Sequence, residues 1–299
     1  MKNLLFTGSS GFLGKNILAL LQKQYNVSTL DLRDADYLCN LSKGHCELNK
    51  TFDIVLHAAG KAHSIPTTEV EKQVFYDVNY QGTVNLCRSL EKTGIPQSFI
   101  FISTVAVYGC KTGYNITEEH PLNGNSPYAL SKMKAEEYLK DWSKKHQVIL
   151  SIIRPSLIAG LNPPGNLGAM IKGIKSGFYF NISGGVAKKS VLMVQDIANL
   201  VPLLVEKGGI YNVCDDTHPS FGELSTLIAK QLNTKNPISI PYWTANIMAL
   251  FGNLLGGKAP IDMNRLAKII QPLTFSNAKA KESLAWQPLN VLENFKIFE

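Results

Sequence analysis

The chain has 299 residues, 45% hydrophobic and 18% charged, with 23 Gly and 14 Pro. This is globular composition; it excludes a disordered, collagen-like or coiled-coil chain and allows one large domain or two modest ones. The formal charge is +7, but only Arg33, Arg88, Arg154 and Arg265 are arginines, and no basic–aromatic stripe points to nucleic-acid readout. Residues 1–150 carry 16 basic and 14 acidic groups and residues 151–299 carry 14 and 9, so most of the surplus lies in the second half.

Five scattered cysteines without a C-x-x-C pair predict reduced thiols and a cytoplasmic protein. His45, His63, His120, His146 and His218 lack metal-ligand spacing, so no metal is expected. The first residues lack the long apolar core of a signal peptide, and no membrane insertion is expected. The longest weakly polar stretch, Tyr242 to Gly257, reads as a buried or cleft-lining helix rather than a membrane-surface contact, because no basic face accompanies it.

In chain order, strands are predicted over Lys2–Thr7, Val27–Leu32, Asp53–His57, Ser98–Ser103, Val148–Arg154 and Ile210–Val213. Helices are predicted over Phe12–Gln24, Thr67–Lys92 and Ser126–Lys145. The strand runs are continuously apolar and β-branched rather than alternating, as expected where both faces are covered. The fold class is therefore α/β, a doubly wound parallel (Rossmann) sheet with a smaller C-terminal substrate lobe. Residues 1–160 and 189–214 are assigned to dinucleotide binding, and 161–188 and 215–299 to the substrate lobe.

Thr7-Gly8-Ser9-Ser10-Gly11-Phe12-Leu13-Gly14 joins the first strand to the first helix. Glycines at this spacing permit a tight turn, a close backbone approach to a pyrophosphate and close helix–sheet packing. Gly8, Ser10, Gly11, Phe12, Leu13 and Gly14 are thus expected to hold a dinucleotide. A nucleoside-triphosphate loop is excluded: five residues rather than four separate the outer glycines, and Asn16 replaces the magnesium-binding Ser/Thr. Asp31, 17 residues after Gly14, can accept from ribose hydroxyls and would repel a 2′-phosphate. NAD is favoured on that ground; Arg33 could offset the repulsion, so NADP stays open.

Tyr128 and Lys132 lie four apart at the start of a predicted helix, hence on one face. An ammonium beside a phenol favours the phenolate and is expected to lower the tyrosine pKa. Such pairs are common on helix surfaces; here Thr104, at the carboxyl end of the fourth strand, would reach the same crevice and bond the substrate oxygen that Tyr128 protonates.

With these residues in order, the sequence resembles the extended short-chain dehydrogenase/reductase family, among its NAD-dependent nucleotide-sugar epimerases and dehydratases. The likeness also rests on His57-Ala58-Ala59-Gly60, Asn79 with Gly82-Thr83, the Ser103-Thr104…Val107-Tyr108-Gly109 run, Arg154-Pro155…Gly160 and Val194-Gln195-Asp196-Ile197. It implies that Tyr128 is the acid/base, that Lys132 holds the nicotinamide ribose and tunes Tyr128, and that Thr104 fills the Ser/Thr role. It implies cofactor contacts from Asn40 and Leu41 at the adenine, from Ala58, Ala59 and Gly60 where the backbone leaves room, and from Asn79, Ser103 and Pro155. It also implies a homodimer through the Thr67–Lys92 and Ser126–Lys145 helices. Tyr108, Asn166 and Lys189 are the expected contacts to a nucleotide-diphosphate sugar; Lys189 stands where the family usually has Arg.

Val105 and Ala106 stand where the dehydratases carry the Asp-Glu pair that expels water, and neither can move a proton. Two reactions remain, epimerisation of a UDP-sugar at C4 and reduction of a UDP-4-keto-6-deoxy sugar. A non-catalytic NAD(H)-binding protein is the alternative of another class, against which the complete Thr104/Tyr128/Lys132 set speaks.

Overall fold

The structure is a computed structural model and describes residues 1–62, 64–254 and 263–298. His63 and the end of the Tyr242–Gly257 stretch lie outside the described residues. The first half alternates strand and helix: β1 (Asn3–Thr7), α1 (Phe12–Gln22), β2 (Asn26–Asp31), β3 (Tyr37–Leu38), β4 (Ile54–His57), α2 (Glu69–Phe75), a π-helical turn (Tyr76–Gln81), α3 (Gly82–Thr93) and β5 (Ser98–Ile102). A 3₁₀ turn (Val105–Tyr108), β6 (Gly113–Ile116), α4 (Pro127–His146), β7 (Ile149–Pro155) and β8 (Leu157–Ala159) follow. Then come α5 (Gly165–Lys175), β9 (Asn181–Ile182), β10 (Val191–Met193), α6 (Val194–Lys207), β11 (Gly209–Val213) and α7 (Phe221–Gln231). The chain ends with β12 (Ser239–Ile240), α8 (Tyr242–Leu254), α9 (Met263–Ile270), β13 (Leu273–Phe275), α10 (Ala278–Leu284) and α11 (Val291–Asn294).

Seven parallel strands form the central sheet in the order β11-β7-β5-β4-β1-β2-β3. Side chains alternate between its faces. Leu4 and Phe6 of β1 and Ile100 of β5 join α1 and α6 on one side, while Leu5, Phe99 and Phe101 join α3 and α4 on the other. Both faces are dry, which is why the strands read as unbroken apolar runs. The chain runs outward from β1 through β2 to β3, then returns to place β4 on the other side of β1. Ligands of open parallel sheets bind outside the strand ends at such a reversal.

The predicted strands and main helices agree with the structure to within about two residues, the usual uncertainty of an element end. The Thr67–Lys92 helix, however, is divided by the π-helical turn that contains Asn79. Three two-stranded ladders carry the rest; one pairs β13 with β6, tying the C-terminal lobe to the loop after β5. The C-terminal stretch expected in the substrate lobe also returns to the sheet. Ala280 and Leu284 of α10, with Trp286, pack in the core beside α1 and α6 because the apolar side of so short a helix needs a partner already assembled.

Asp196, in the first turn of α6, is fully buried and accepts a hydrogen bond from the Leu289 amide at 3.0 Å, fastening the C-terminal segment. Burial pushes its pKa up to about 6. A carboxyl that binds its proton more tightly folded than unfolded stabilises the fold below the unfolded pKa and loses that contribution as pH rises through the folded one. The group is therefore expected to favour folding at pH 4 over pH 7 by on the order of 3 kcal/mol. Asp196→Asn keeps the acceptor and should remove this slope: the stability difference between variant and parent, from urea denaturation, should change between pH 4 and 7. A constant difference would show that Asp196 does not titrate in this range.

Candidate active site

The crevice opens where β1 and β4 end. Gly8 holds φ +80°, and a Cβ there would lie 2.7 Å from the Ala59 nitrogen; one on Gly14 would lie 2.1 Å from the Ser9 oxygen. These positions admit only glycine, for turn geometry and for helix–turn packing respectively. α1 starts without a capping side chain and without an acidic residue in its first turn, so its amides and positive dipole end are available to an anion. A cleft of about 510 Å³ lies there, lined by Ser10, Gly11, Phe12, Lys15, Asn16, Leu161 and Asn162. Asp31 accepts from the Ser10 amide at 2.9 Å and from the Leu32 amide at 2.7 Å, which places a carboxylate at the rim of the glycine turn. The donor-rich turn, the absence of Cβ atoms and the acidic rim fit a dinucleotide pyrophosphate and an adenosine ribose.

Under the turn runs a buried relay. The Thr7 hydroxyl and His57 Nδ1 are 2.6 Å apart, His57 Nε2 and the Thr83 hydroxyl 2.9 Å, and Thr83 donates to the Asn79 carbonyl at 2.7 Å. Thr83 spends its proton on that carbonyl, so it accepts from His57 Nε2–H, and His57 Nδ1 accepts from Thr7. Burial, then the nearby Lys132 charge, push the His57 pKa down to about 3, so the ring is a neutral strut. Asn79 accepts from the Lys61 amide at 2.7 Å and donates to the Lys61 carbonyl at 3.1 Å and to Ser131 at 2.9 Å. The π-helical turn thereby aims one amide at both the loop after β4 and α4.

Ser126 caps α4 with Pro127 in its first turn, which fixes the start of the helix that carries Tyr128 and Lys132. Thr104 caps the 3₁₀ turn after β5 and accepts from the Ala106 amide at 3.1 Å. The Thr104 hydroxyl faces the Tyr128 phenol closely enough to favour its ionised form. Lys132, 4% exposed, donates to the Ile102 carbonyl at 2.8 Å and lies 4.6 Å from the centre of the Phe101 ring. The structure corrects the electrostatic expectation. Burial raises the Tyr128 pKa, and the nearby Thr104 hydroxyl only partly offsets this. Burial also lowers the Lys132 pKa to about 8, with the Glu136 carboxylate opposing the shift, so Lys132 is itself a desolvated cation rather than a free source of field.

Behind the pair is a network that sequence reasoning did not assemble. Arg154 donates from Nη2 and Nε to the two carboxylate oxygens of Glu136, at 2.6 and 3.1 Å, and from Nη1 to the Tyr108 hydroxyl at 3.0 Å. Tyr108 donates to Asn212 at 2.7 Å, and Ser103 donates to Glu136. All five side chains are buried, so the network joins β5, α4, β7 and β11 beneath the crevice. Glu136 follows Lys132 by four residues, a spacing that could have revealed it on the same inward face.

A family model described as the NAD-dependent epimerase/dehydratase family matches residues 4–214. The chain belongs to that family. It is an enzyme of the extended short-chain dehydrogenase type, and NAD is the family's cofactor. One relative is the N-acetyl-alpha-D-glucosaminyl-diphospho-ditrans,octacis-undecaprenol 4-epimerase of Escherichia coli O157:H7, 28% identical and covering 94% of this chain and 89% of the relative. Another is the GDP-6-deoxy-D-mannose reductase of Pseudomonas aeruginosa, 30% identical and covering 76% and 79%. Among solved structures, the UDP-glucose 4-epimerase of Thermotoga maritima with UDP-glucose superposes with a TM-score of 0.73 at 20% identity, covering 97% of this chain and 95% of the other.

Against this family frame the expected residues divide. Ser10, Gly11 and Phe12 line the cleft, Gly8 packs on Ala58 and Ala59, Gly14 packs on Ser9, and Asp31 holds the Ser10 amide, while Asn79 and Lys132 both approach Gly60 and Thr104 faces Tyr128. Gly60 is close-packed, since a Cβ there would sit 3.0 Å from Asn79 Oδ1 and 3.3 Å from Lys132 Nζ. Leu13 packs against the α1/α6 core, Pro155 ends β7, and Leu41 is buried with its carbonyl held by Asn85. Arg33 and Asn40 are exposed, and Asn40 accepts from the Ser42 amide and hydroxyl.

Three of the expected contact residues have their polar atoms engaged elsewhere. Tyr108, expected at the sugar, is 1% exposed with its hydroxyl committed to Arg154 and Asn212 and its ring stacked on Phe275. Ser103 directs its hydroxyl to Glu136 rather than into the crevice. Lys189, expected at the diphosphate, donates to the Lys268 and Gln271 carbonyls at 2.8 and 2.6 Å, where a cation satisfies the free carbonyls at the end of α9. Asn166 remains exposed in the first turn of α5.

Proposed function

We propose that this protein is a nucleotide-diphosphate-sugar 4-epimerase, with UDP-sugars as the leading substrate class. The observation that carries the reading is the Tyr128 phenol beside the Thr104 hydroxyl, one helical turn from Lys132, whose buried ammonium reaches the end of β5 and the Gly60 backbone. Val105 and Ala106, directly after Thr104, can neither donate nor accept a proton, which argues against a dehydratase elimination. NAD, when bound, supplies reversible hydride exchange at the sugar carbon. The Tyr128 oxygen takes the proton of the C4 hydroxyl and later returns it, and Thr104 holds the same sugar oxygen. Taking that proton requires the phenolate, which burial disfavours and the Lys132 charge favours; returning it uses the neutral phenol that burial favours. The reduced face of C4 changes when the ketosugar turns over, so the site must hold the diphosphate while leaving the sugar free to rotate. We assign the diphosphate to residues of 161–188 and 215–299, with 1–160 and 189–214 holding the cofactor.

The second reading is a 4-ketosugar reductase, favoured by the 30% identity to the GDP-6-deoxy-D-mannose reductase. The two differ in whether cofactor leaves the enzyme. Purified protein is first sized by light scattering, where the mass of two chains supports a homodimer through α3 and α4, and is then denatured and assayed for released nucleotide. The epimerase reading expects about one NAD(H) per chain and interconversion of UDP-sugar C4 epimers. NAD(P)H consumed against a 4-ketosugar by protein that released none would replace it with the reductase. The substrate panel includes a polyprenyl-diphosphate sugar, because the Escherichia coli relative is named for one. Five free cysteines support a reducing compartment and hence the cytoplasm. No helix among the described residues is long and apolar enough to cross a membrane.

A further inference from the structure

α8 is built inside out. Ala245, Ala249 and Gly252, one helical stripe of small residues, face inward, and the two alanines cluster with Ile182 and Leu266. The large apolar residues face solvent: Trp243 is 65% and Phe251 64% exposed, with Ile247, Met248 and Leu250 exposed beside them. The expected buried or cleft-lining helix is thus overturned. Pairing of β9 with β12 sets Asn181 against Ser239, which brings the exposed Phe178 and Phe180 alongside exposed Ile238. Large apolar side chains exposed along one helix, with three more on the adjoining ladder, mark an interaction surface.

The charges around this face indicate the occupant. The sequence holds no Asp or Glu from 151 to 195 or from 224 to 261, and Lys172, Lys175 and Lys235 are exposed on the segments that lead into Phe178 and Ile238. A two-fold contact with a second copy would bring these lysines toward their own counterparts. Aromatic and aliphatic side chains with a lysine rim match the headgroup region of an anionic bilayer. We propose that α8, with Phe178, Phe180 and Ile238, is a docking surface for an anionic phospholipid membrane. Trp243 and Phe251 enter the headgroup–acyl boundary, and Lys172, Lys175 and Lys235 meet the lipid phosphates. Docking does not depend on which sugar turns over in the crevice.

The test uses the full-length protein with vesicles of phosphatidylglycerol and phosphatidylethanolamine, or of phosphatidylcholine alone. Trp142 and Trp286 are 4% and 3% exposed, so a blue shift of tryptophan fluorescence on adding vesicles reports Trp243. The expected result is co-sedimentation and a blue shift with the anionic vesicles, and binding roughly tenfold weaker or less with the neutral ones. Trp243→Ser with Phe251→Ser should reduce anionic-vesicle binding by about tenfold or more while leaving thermal midpoint and bound NAD(H) unchanged. Absence of co-sedimentation with either vesicle, or equal binding by parent and variant, overturns the proposal. Conversion of a dimer into a monomer by the same variant overturns it in favour of a second copy as occupant.

Discussion

Tyr128→Phe is expected to lower turnover by about a thousandfold, the scale of a well-placed general acid/base. The variant removes one oxygen and retains the ring, which meets Phe75 edge-on at 6.3 Å between centres. Folding and cofactor retention should therefore be preserved, and the loss should fall on kcat rather than on bound NAD(H). Steady-state assay with the substrate identified by the panel, alongside nucleotide released on denaturation, separates these effects. Turnover within tenfold of the parent would remove Tyr128 from the proton path. Thr104→Ala should be milder, since Tyr128 keeps its proton-transfer oxygen and loses only a partner; removal of the Thr104 hydroxyl also leaves the Ala106 amide without its cap.

The second large effect is on stability. Arg154→Ala should cost about 3–5 kcal/mol, because it leaves the Glu136 carboxylate buried with its countercharge gone. Arg154 and Glu136 side chains are 3% and 1% exposed, so water cannot replace the lost partner without opening the sheet edge. Glu136→Leu with Arg154→Met should cost much less than the two single changes together, since the apolar pair leaves neither charge stranded; urea denaturation of the four proteins measures the coupling. A loss below about 1 kcal/mol for Arg154→Ala would show that the network is not a strut. The same change should also reduce kcat, because Ser103, which bonds Glu136, directly precedes Thr104 and sets its position.

These two sites differ in how visible they are from the chain alone. Tyr128 and Lys132 are one helical turn apart, and Gly8, Gly11 and Gly14 span a single turn. Their geometry is local, so spacing conveys it. The assignments of β1, β2, β4, β5, β7 and β11 were readable for a related reason: a strand dry on both faces must be continuously apolar. Thr104 followed from the rule that parallel strands present their carboxyl ends to ligands. Tyr108 lies only four residues farther on, yet its direction depends on Arg154 and Asn212, which arrive from β7 and β11, so the motif that placed it near the sugar could not orient it. Lys189 is likewise oriented by distant groups, the carbonyls at the end of α9.

Electrostatic balance was also hidden. The lysine next to a phenol suggested a lowered tyrosine pKa, but the sign depends on how much water the fold removes from each group, and here burial dominates both Tyr128 and Lys132. α8 shows the converse, because its composition read as core while its partners inside the lobe are too small a set to cover it. Sequence therefore specified the doubly wound sheet, the dinucleotide turn and the Tyr–Lys pair, all governed by short-range geometry and by dryness of the strands. The assembled structure decided the Glu136–Arg154–Tyr108 strut, the protonation of the site and the outward face of α8, because each depends on which distant segments arrive to share or exclude water.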